Sequence, residues 1–127
     1  MTIAYVETSY LVAIAFDEPG ARTLARRIVE FDRLVSSNLL EAELRSAVAR
    51  EAAGLDPSPF FMSLSWIYPN RPLTGELQRI TPHGHLKGAD LWHRACALLI
   101  CPDAQALTFL TLDKRQQKVA GRIGFTT

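Results

Sequence analysis

The sequence predicts an α/β fold in which helices flank a mostly parallel central sheet of about four or five strands. Short apolar runs alternate along the chain with segments of helical periodicity, an order that is typical of parallel sheets. The first run, residues 3–6, is apolar throughout, as a strand covered on both faces should be. Because 127 residues are enough for one domain and hardly enough for two, we expect a single domain over residues 1–127.

Two predicted helices follow the first strand. Thr8 or Ser9 is expected to cap the first of them, which runs to about residue 16. Residues 17–20 contain a proline and a glycine, and they break the helical pattern. The second helix covers about residues 21–30, because its apolar side chains fall on one side and three arginines on the other.

The middle of the chain begins with a second predicted strand at residues 33–36. Asn38 is expected to cap a long helix that runs to about residue 53. Glu41 falls at the third position of this helix, where it would complete a capping box, so we interpret it as structural. Residues 60–67 are very apolar and are expected to form a short core helix, with a protein-binding surface as the alternative.

The C-terminal half continues the alternation of helices and strands. Helices are expected over about residues 75–80, 88–100 and 113–122, and strands near residue 73 and over residues 106–112 and 123–126. Residues 81–85 contain a proline and a glycine and are expected to form a loop.

Composition and charge are those of an ordinary globular protein, with 48% apolar and 21% charged residues and a net charge of +1. Any nucleic-acid binding would therefore need a local basic patch. Cys96 and Cys101 do not share a helix face at their spacing, so no disulfide is expected. Reduced thiols, the lack of a secretory leader and the lack of a membrane span together favour a cytoplasmic protein.

Four acidic residues are placed to meet at one edge of the predicted sheet. Glu7 directly follows the first strand, and Asp113 directly follows the strand before the last helix. Glu43 lies within two turns of the start of the long helix, and Asp90 lies in the first turn of another helix. Because ligands of open parallel sheets bind beyond the carboxyl ends of the strands, we predict a functional site there.

Carboxylates that crowd together repel one another, and the sequence offers no obvious fixed cation beside them. Mg²⁺ or Mn²⁺ would relieve this repulsion, since both ions prefer oxygen ligands and bind phosphate-bearing substrates. One or two such ions can generate a hydroxide nucleophile and stabilise the leaving oxygen of a phosphodiester. A zinc site that uses His83, His85 and His93 is less favoured, because two of these histidines fall in a loop.

Each acid also has a simpler interpretation. Asp90 suits a helix N-terminus because of the helix dipole, Asp113 can be a plain helix cap, and Glu43 can be a solvated flank residue. Glu7 is the hardest to explain in this way, because a charge next to a buried strand normally needs a partner.

Four segments of the chain resemble, in order, the sequence blocks of the PIN-domain family. They begin at Tyr5, Val35, Leu86 and Phe109, and each contains one of the acids Glu7, Glu43, Asp90 and Asp113. The likeness covers essentially the whole chain. In size and blocks the chain is most similar to the VapC toxins of bacterial toxin–antitoxin pairs.

This resemblance implies an endoribonuclease that depends on Mg²⁺ or Mn²⁺, usually a homodimer, which a cognate antitoxin protein silences. Transfer and ribosomal RNA are substrates in the family. The four acids would then be catalytic residues and metal ligands. Ser9, Thr111 and His93 would support them or a bound water through hydrogen bonds, although a lone hydroxyl is more often a local hydrogen-bonder.

Basic residues on the helix after Asp113 are candidates for binding the RNA backbone. Lys114, Lys118 and Arg122 recur every four residues, and Arg115 lies beside them. Such a stripe can bind phosphates, but a solvated helix face has the same pattern.

The chain departs from the family pattern at its first acid, which is Glu7 where the family usually has aspartate. Because Mg²⁺ geometry is strict, the extra methylene either shifts the site or weakens it. The alternative function is therefore a catalytically attenuated PIN fold that acts through RNA or partner contacts. A phosphotransfer domain is disfavoured, because Glu7 and Ser9 stand where such enzymes need acidic pairs.

Overall fold

The structure, a computed structural model, describes residues 1–127 and has a four-stranded parallel sheet at its centre. The strands are β1 (Ile3–Val6), β2 (Arg33–Ser37), β3 (Leu64–Ile67) and β4 (Leu107–Leu110). Their order in the sheet is β3-β2-β1-β4, and every neighbouring pair is parallel. The predicted α/β fold with a mostly parallel sheet is confirmed.

Seven helices connect the strands and cover the two faces of the sheet. They are α1 (Thr8–Ala15), α2 (Ala21–Ile28), α3 (Leu39–Glu51), α4 (Ser58–Phe61), α5 (Thr74–Ile80), α6 (Gly88–Ile100) and α7 (Lys114–Ile123). Short 3-10 turns at Thr81–His83 and Ala104–Ala106 precede α6 and β4.

Two apolar clusters lie on opposite faces of the sheet, because side chains alternate between the faces along each strand. Ala4 and Val6 of β1 belong to the cluster that α1 and α3 cover. Tyr5 belongs to the cluster under α5, α6 and α7, and it stacks on Phe109 of β4 with the ring centroids 5.0 Å apart. Val6 is in register with Leu110, so the residues after β1 and β4 emerge side by side at one edge.

The prediction of a helix over residues 60–67 is wrong. The chain makes the short helix α4, Ser58–Phe61, and then the edge strand β3, Leu64–Ile67. Apolar content does not separate a short buried helix from a strand. The free edge of β2 decides the matter here, because it pairs with all four residues of β3.

Two further predicted strands do not form. Leu73 directly precedes α5 instead of lying in a strand, and its side chain is buried in the core. The C-terminal segment makes only an isolated bridge between Thr126 and Thr108. The backbone there still bonds to β4, because Phe109 N–H donates to Thr126 O at 2.7 Å.

The helix caps also differ from the prediction. Glu7, and not Thr8 or Ser9, caps α1, because its carboxylate accepts from Ser9 N–H at 3.0 Å. Asn38 occupies the residue before α3, but its side chain makes no capping bond, and Ser37 Oγ accepts from Leu39 N–H instead. Glu41 forms no capping box. Its carboxylate pairs instead with Arg45 at 2.8 Å on the surface of α3.

The two cysteines are free, as their spacing predicted. None of the helices combines the length and the apolar character that crossing a lipid bilayer requires.

Candidate functional site

Glu7 stands at the carboxyl end of the central strand β1 and is almost fully buried, with 4% of its surface exposed. Its N–H continues the sheet by donating to Leu110 O at 2.9 Å. Its Oε1 accepts from Ser9 Oγ at 2.6 Å and from Thr111 Oγ1 at 2.7 Å, and its Oε2 accepts from Ser9 N–H at 3.0 Å. The carboxylate is therefore held in place by residues that follow both β1 and β4.

Asp113 lies on the neighbouring segment, two residues after Thr111, and it caps α7. Its Oδ1 accepts from Gln116 N–H at 3.0 Å, and its own N–H donates to Thr111 Oγ1 at 3.2 Å. Leu112 N–H donates to Ser9 Oγ at 3.0 Å, which ties this segment to the start of α1. The capping interpretation of Asp113 is thus correct, and its second oxygen stays free at the same edge.

Glu43 reaches the site from the second turn of α3. Its Oε1 accepts from Thr8 Oγ1 at 2.7 Å and bonds with His93 Nε2 at 2.6 Å. Burial raises the pKa of Glu43, but the hydrogen bonds from His93 and Thr8 outweigh burial and bring it below its usual value. Glu43 is therefore ionised at neutral pH.

A chain of buried hydrogen bonds holds His93, the hydrogen-bond partner of Glu43, in place. His93 is fully buried on α6, and its Nδ1 lies 2.5 Å from Tyr5 Oη. Tyr5 Oη also accepts from Ser37 N–H at 3.1 Å. Burial raises the pKa of Tyr5 well above its usual value, so the phenol keeps its proton.

These contacts define the tautomer of a neutral His93. Because Ser37 already donates to Tyr5 Oη, the phenol proton is directed at Nδ1, which accepts it. The histidine proton then lies on Nε2 and is donated to Glu43. Ser37, Tyr5 and His93 thus form a line of donors that ends on the Glu43 carboxylate.

Asp90 occupies the first turn of α6, partly exposed, and its carboxylate accepts no hydrogen bond. Burial, followed by the negative charges of Glu7 and Asp113, raises the pKa of Asp90 above its usual value. Asp90 therefore lies within the electrostatic reach of both other acids, although it belongs to a different helix.

An open cleft of about 500 Å³ lies over this edge of the sheet. Its lining includes Glu7, Glu43 and Asp113, together with Thr8, Ser9 and Glu18. Asp90 on α6 is not part of the lining, but it is near enough to Glu7 and Asp113 for their charges to act on it. Three of the four sequence-predicted acids thus line one depression, and the fourth lies outside its lining.

The donor set can be compared with what a divalent cation needs. No three acidic, histidine or cysteine side chains are arranged to hold one ion directly. Glu43 Oε2, Asp113 Oδ2 and both oxygens of Asp90 are free of hydrogen bonds. Mg²⁺ keeps several waters and takes one or two carboxylates, so these oxygens fit a hydrated hard cation. They do not form a zinc site, because His93 already uses both ring nitrogens.

Arg94 is the residue of this region that the sequence interpretation missed. It follows His93 on α6, is 0% exposed, and stacks on Phe109 with its guanidinium carbon 4.5 Å from the ring centroid. Burial lowers its pKa to about 10, while the charges of Glu7, Asp90 and Asp113 act in the opposite direction. The acids therefore do have a fixed cation nearby, contrary to the expectation from the sequence.

The basic residues predicted to bind RNA lie at the start of α7, directly after Asp113. Lys114, Arg115 and Lys118 are exposed, and none of them is in an ion pair. Arg122 is also exposed, and it donates to His83 O at 2.9 Å. Cations in the first turn oppose the helix dipole, so Lys114 and Arg115 do not stabilise α7.

Comparison with known proteins decides the family. A model of the PIN domain matches residues 4–122. The chain belongs to the PIN domain family. PIN domains are generally metal-dependent nucleases that act on nucleic acids. The matched region contains the four acids and the strands that present Glu7 and Asp113. No curated protein sequence matches the chain significantly.

The PIN assignment agrees with the geometry of this edge of the sheet. Membership of this family supports a hydrolase of the nuclease kind. The exposed lysines lie on α7, which directly follows Asp113. In this PIN domain Ser9 and Thr111 contact the Glu7 carboxylate, and His93 contacts Glu43.

Proposed function

We propose that this PIN domain is a metal-dependent endoribonuclease, with Glu7, Glu43, Asp90 and Asp113 as its metal-binding and catalytic residues. One observation carries the proposal most strongly. The Asp90 carboxylate has no hydrogen-bond donor and lies in the field of Glu7 and Asp113. A carboxylate that accepts no hydrogen bond and is repelled by two neighbouring acids is well explained as the ligand of a cation.

The oxygens that accept no hydrogen bond support a different role for each acid. Asp90 and Asp113 would offer oxygens directly to Mg²⁺ or Mn²⁺, and Glu43 and Glu7 would act directly or through water. When bound, the ion would lower the pKa of an attacking water and neutralise charge on the scissile phosphate. The chain itself holds Glu43 ionised through His93 and Thr8, and it holds Glu7 in place through Ser9 and Thr111.

Glutamate in place of aspartate at position 7 is compatible with this role. The longer side chain folds back to cap α1, and its Oε1 already accepts two hydrogen bonds. Oε2 accepts only from Ser9 N–H and keeps capacity for another contact, since a carboxylate oxygen has two lone pairs. Glu7 would therefore contribute charge and one oxygen at the floor of the cleft.

RNA would lie along the start of α7. Lys114, Arg115 and Lys118 are exposed beside Asp113 and have no acidic partner. Their positive charge would offset the repulsion between the phosphates and the acidic cleft.

The resemblance of the whole chain to VapC toxins suggests its biological setting. We infer a toxin of a bacterial toxin–antitoxin pair, cytoplasmic, active as a homodimer and silenced by a cognate antitoxin protein. Residues 1–127 would then form one nuclease domain. The test is to purify the product of the neighbouring gene separately and to mix it with the chain. Loss of nuclease activity on mixing would support this setting, and unchanged activity would contradict it.

The chemistry is tested with the chain purified free of partners. Total RNA, single-stranded DNA and duplex DNA are each incubated with it in Mg²⁺, Mn²⁺ or EDTA. Discrete RNA fragments that require metal, with intact DNA, are the expected result. Cleavage that persists in EDTA would contradict the metal requirement, and cleavage of DNA alone would contradict the assignment of RNA as substrate.

A second candidate function rests on Glu7. If the three hydrogen bonds on its carboxylate prevent productive metal binding, the chain is an attenuated PIN fold that acts through RNA or partner contacts. The variant Glu7→Asp discriminates the two functions. Cleavage by Glu7→Asp but not by the natural sequence would establish attenuation, whereas cleavage by the natural sequence would exclude it.

A further inference from the structure

Arg94 is the largest fully buried side chain of the protein and has no acidic partner in direct contact. It lies in the middle of α6, between the sheet and α7, on the same side of the sheet as Tyr5 and Phe109. A buried guanidinium that makes no salt bridge is costly, because its charge has left water without a direct counter-charge.

Neutral groups satisfy most of its N–H donors. Nη1 donates to Gln116 Oε1 at 2.8 Å and to Asp90 O at 3.0 Å, and Nη2 donates to Gln116 O at 2.5 Å. Nε has no partner at all, and it is the only buried side-chain nitrogen or oxygen of the chain in this state. Packing therefore does not explain the positive charge, since a neutral side chain of similar length would fill the same space against Phe109.

The negative charges that act on Arg94 are those of the proposed metal site. Glu7, Asp90 and Asp113 all favour its charged form, and Glu7 has the largest effect of the three. Arg94 donates to the backbone oxygen of Asp90 on its own helix. Gln116 links it to Asp113, because Gln116 accepts from Arg94 and its N–H donates to Asp113 Oδ1 at 3.0 Å. The guanidinium thus lies behind the acids, away from solvent and out of reach of a substrate.

We infer that Arg94 is a built-in counter-charge for the acid cluster, which holds Glu7, Asp90 and Asp113 together without metal and weakens their binding of a divalent cation. The inference rests on the proposed function, because it assumes that these acids bind the ion. Arg94 acts through the acids and is a positioning residue, not a catalytic one.

The test measures the affinity of the protein for Mn²⁺ alone, by calorimetry and by the electron paramagnetic resonance signal of free Mn²⁺. Arg94→Met and Arg94→Gln both remove the charge, and Gln keeps an amide donor for Gln116. Arg94→Lys keeps the charge. Arg79→Met removes an exposed arginine that bonds to Pro102 O, and it is the matched control. Melting temperatures without metal show which variants are folded.

We expect the two neutral variants to bind Mn²⁺ at least about tenfold more tightly than the natural sequence. The positive charge of Arg94 repels a divalent cation with twice the energy with which it repels a monovalent one, and both variants remove that repulsion. Arg94→Lys and Arg79→Met should bind as the natural sequence does. A purely structural role for Arg94 would give the opposite sign, since a disordered site binds metal more weakly.

Unchanged or weaker Mn²⁺ binding by folded Arg94→Met or Arg94→Gln would contradict the role of Arg94 as a counter-charge. The proposed metal site would still stand in that case. If neither the natural sequence nor any variant binds Mn²⁺ at millimolar concentration, the proposed metal site itself is wrong, and this inference falls with it.

Discussion

At the scale of single residues, the site depends on hydrogen bonds that reach the acids from buried neighbours. His93 orients Glu43, and Tyr5 orients His93. Tyr5 Oη in turn accepts a hydrogen bond from the backbone N–H of Ser37. Partners of this kind restrict the tautomer and direction of a side chain without touching the substrate. Tyr5 therefore links the core stacking with Phe109 to the position of a carboxylate in the cleft.

Tyr5→Phe should leave the Ser37 N–H and His93 Nδ1 unpartnered inside the protein. We expect it to lower the free energy of unfolding by about 1–3 kcal/mol, the usual cost of an unsatisfied buried polar group. Urea denaturation measures this loss, and Tyr10→Phe is the control, since Tyr10 Oη makes one partly buried bond to Leu24 O.

The same variant tests the tautomer. ¹⁵N NMR of the natural sequence should show His93 with its proton on Nε2, and the preference should weaken in Tyr5→Phe. A proton on Nδ1 in the natural sequence would contradict the proposed direction of the hydrogen-bonded chain.

Asp90 gives a prediction about pH. Its pKa is raised by burial and by Glu7 and Asp113, so the folded, metal-free protein binds this proton more tightly than the unfolded chain does. Its contribution to stability is therefore complete below the usual value of 3.8 and is lost as the pH rises through the raised value.

The variant Asp90→Asn cannot ionise at this position, so its stability does not fall as the pH rises through the raised pKa of Asp90. In EDTA at pH about 7, we expect its melting temperature to exceed that of the natural sequence by ~1–3 °C, a small change because solvent screens a partly exposed group. The difference should vanish at pH about 3.5. A lower melting temperature for Asp90→Asn at neutral pH would show that Asp90 stabilises α6 and does not suffer repulsion.

Sequence reasoning succeeded for residues whose position follows from strand order. Glu7 directly follows β1, and Asp113 lies three residues after the end of β4, so both belong to segments that leave neighbouring parallel strands at the same edge. It failed for Arg94, because an arginine beside a histidine in a helix is normally a surface residue. The only indication in the sequence was its spacing, which places it on the same helix face as Leu91 and Leu98.

At the scale of elements, α7 combines two roles. Its N-terminus is capped by the acid Asp113, and its first turn carries two cations that the helix dipole disfavours. Such an arrangement is expected where a helix start faces an anionic ligand beside a metal-binding acid.

The double variant Lys114→Gln/Lys118→Gln tests the role of α7. It should weaken binding of single-stranded RNA and reduce the slope of log K against log[salt] by roughly 1.4, the counterion release of two phosphate contacts at about 0.7 each. Arg22→Gln/Arg26→Gln, which removes two exposed arginines from α2, is the control and should leave the slope nearly unchanged. Equal effects of the two pairs would mean that general charge, and not α7, binds the RNA.

Elements whose type depends on a distant partner could not be predicted from local pattern. The segment of β3 has the composition of a core helix, but the unpaired edge of β2 recruits it as a strand. The helix over residues 88–100, by contrast, has a pattern long enough to be recognised alone, and α6 has these bounds.

At the scale of the whole molecule, an overall charge near neutrality conceals two regions of opposite sign. The acids gather at the carboxyl edge of the sheet, and the free cations of α7 lie beside them. Parallel topology accounts for this division, because the central strand β1 and its neighbour β4 deliver their following residues to one edge. The region that the PIN model matches contains these same acids.

The most direct test of the account is RNA cleavage by Asp90→Asn in Mg²⁺ or Mn²⁺, compared with Asp103→Asn. Asp103 follows the far end of α6 and caps a 3-10 turn, a role that asparagine also fills. We predict that Asp90→Asn loses at least as much activity as outer partners of a metal site do, ~10–100-fold, while Asp103→Asn cleaves as the natural sequence does. Metal-dependent cleavage that survives Asp90→Asn would contradict the central claim that this carboxylate holds the ion.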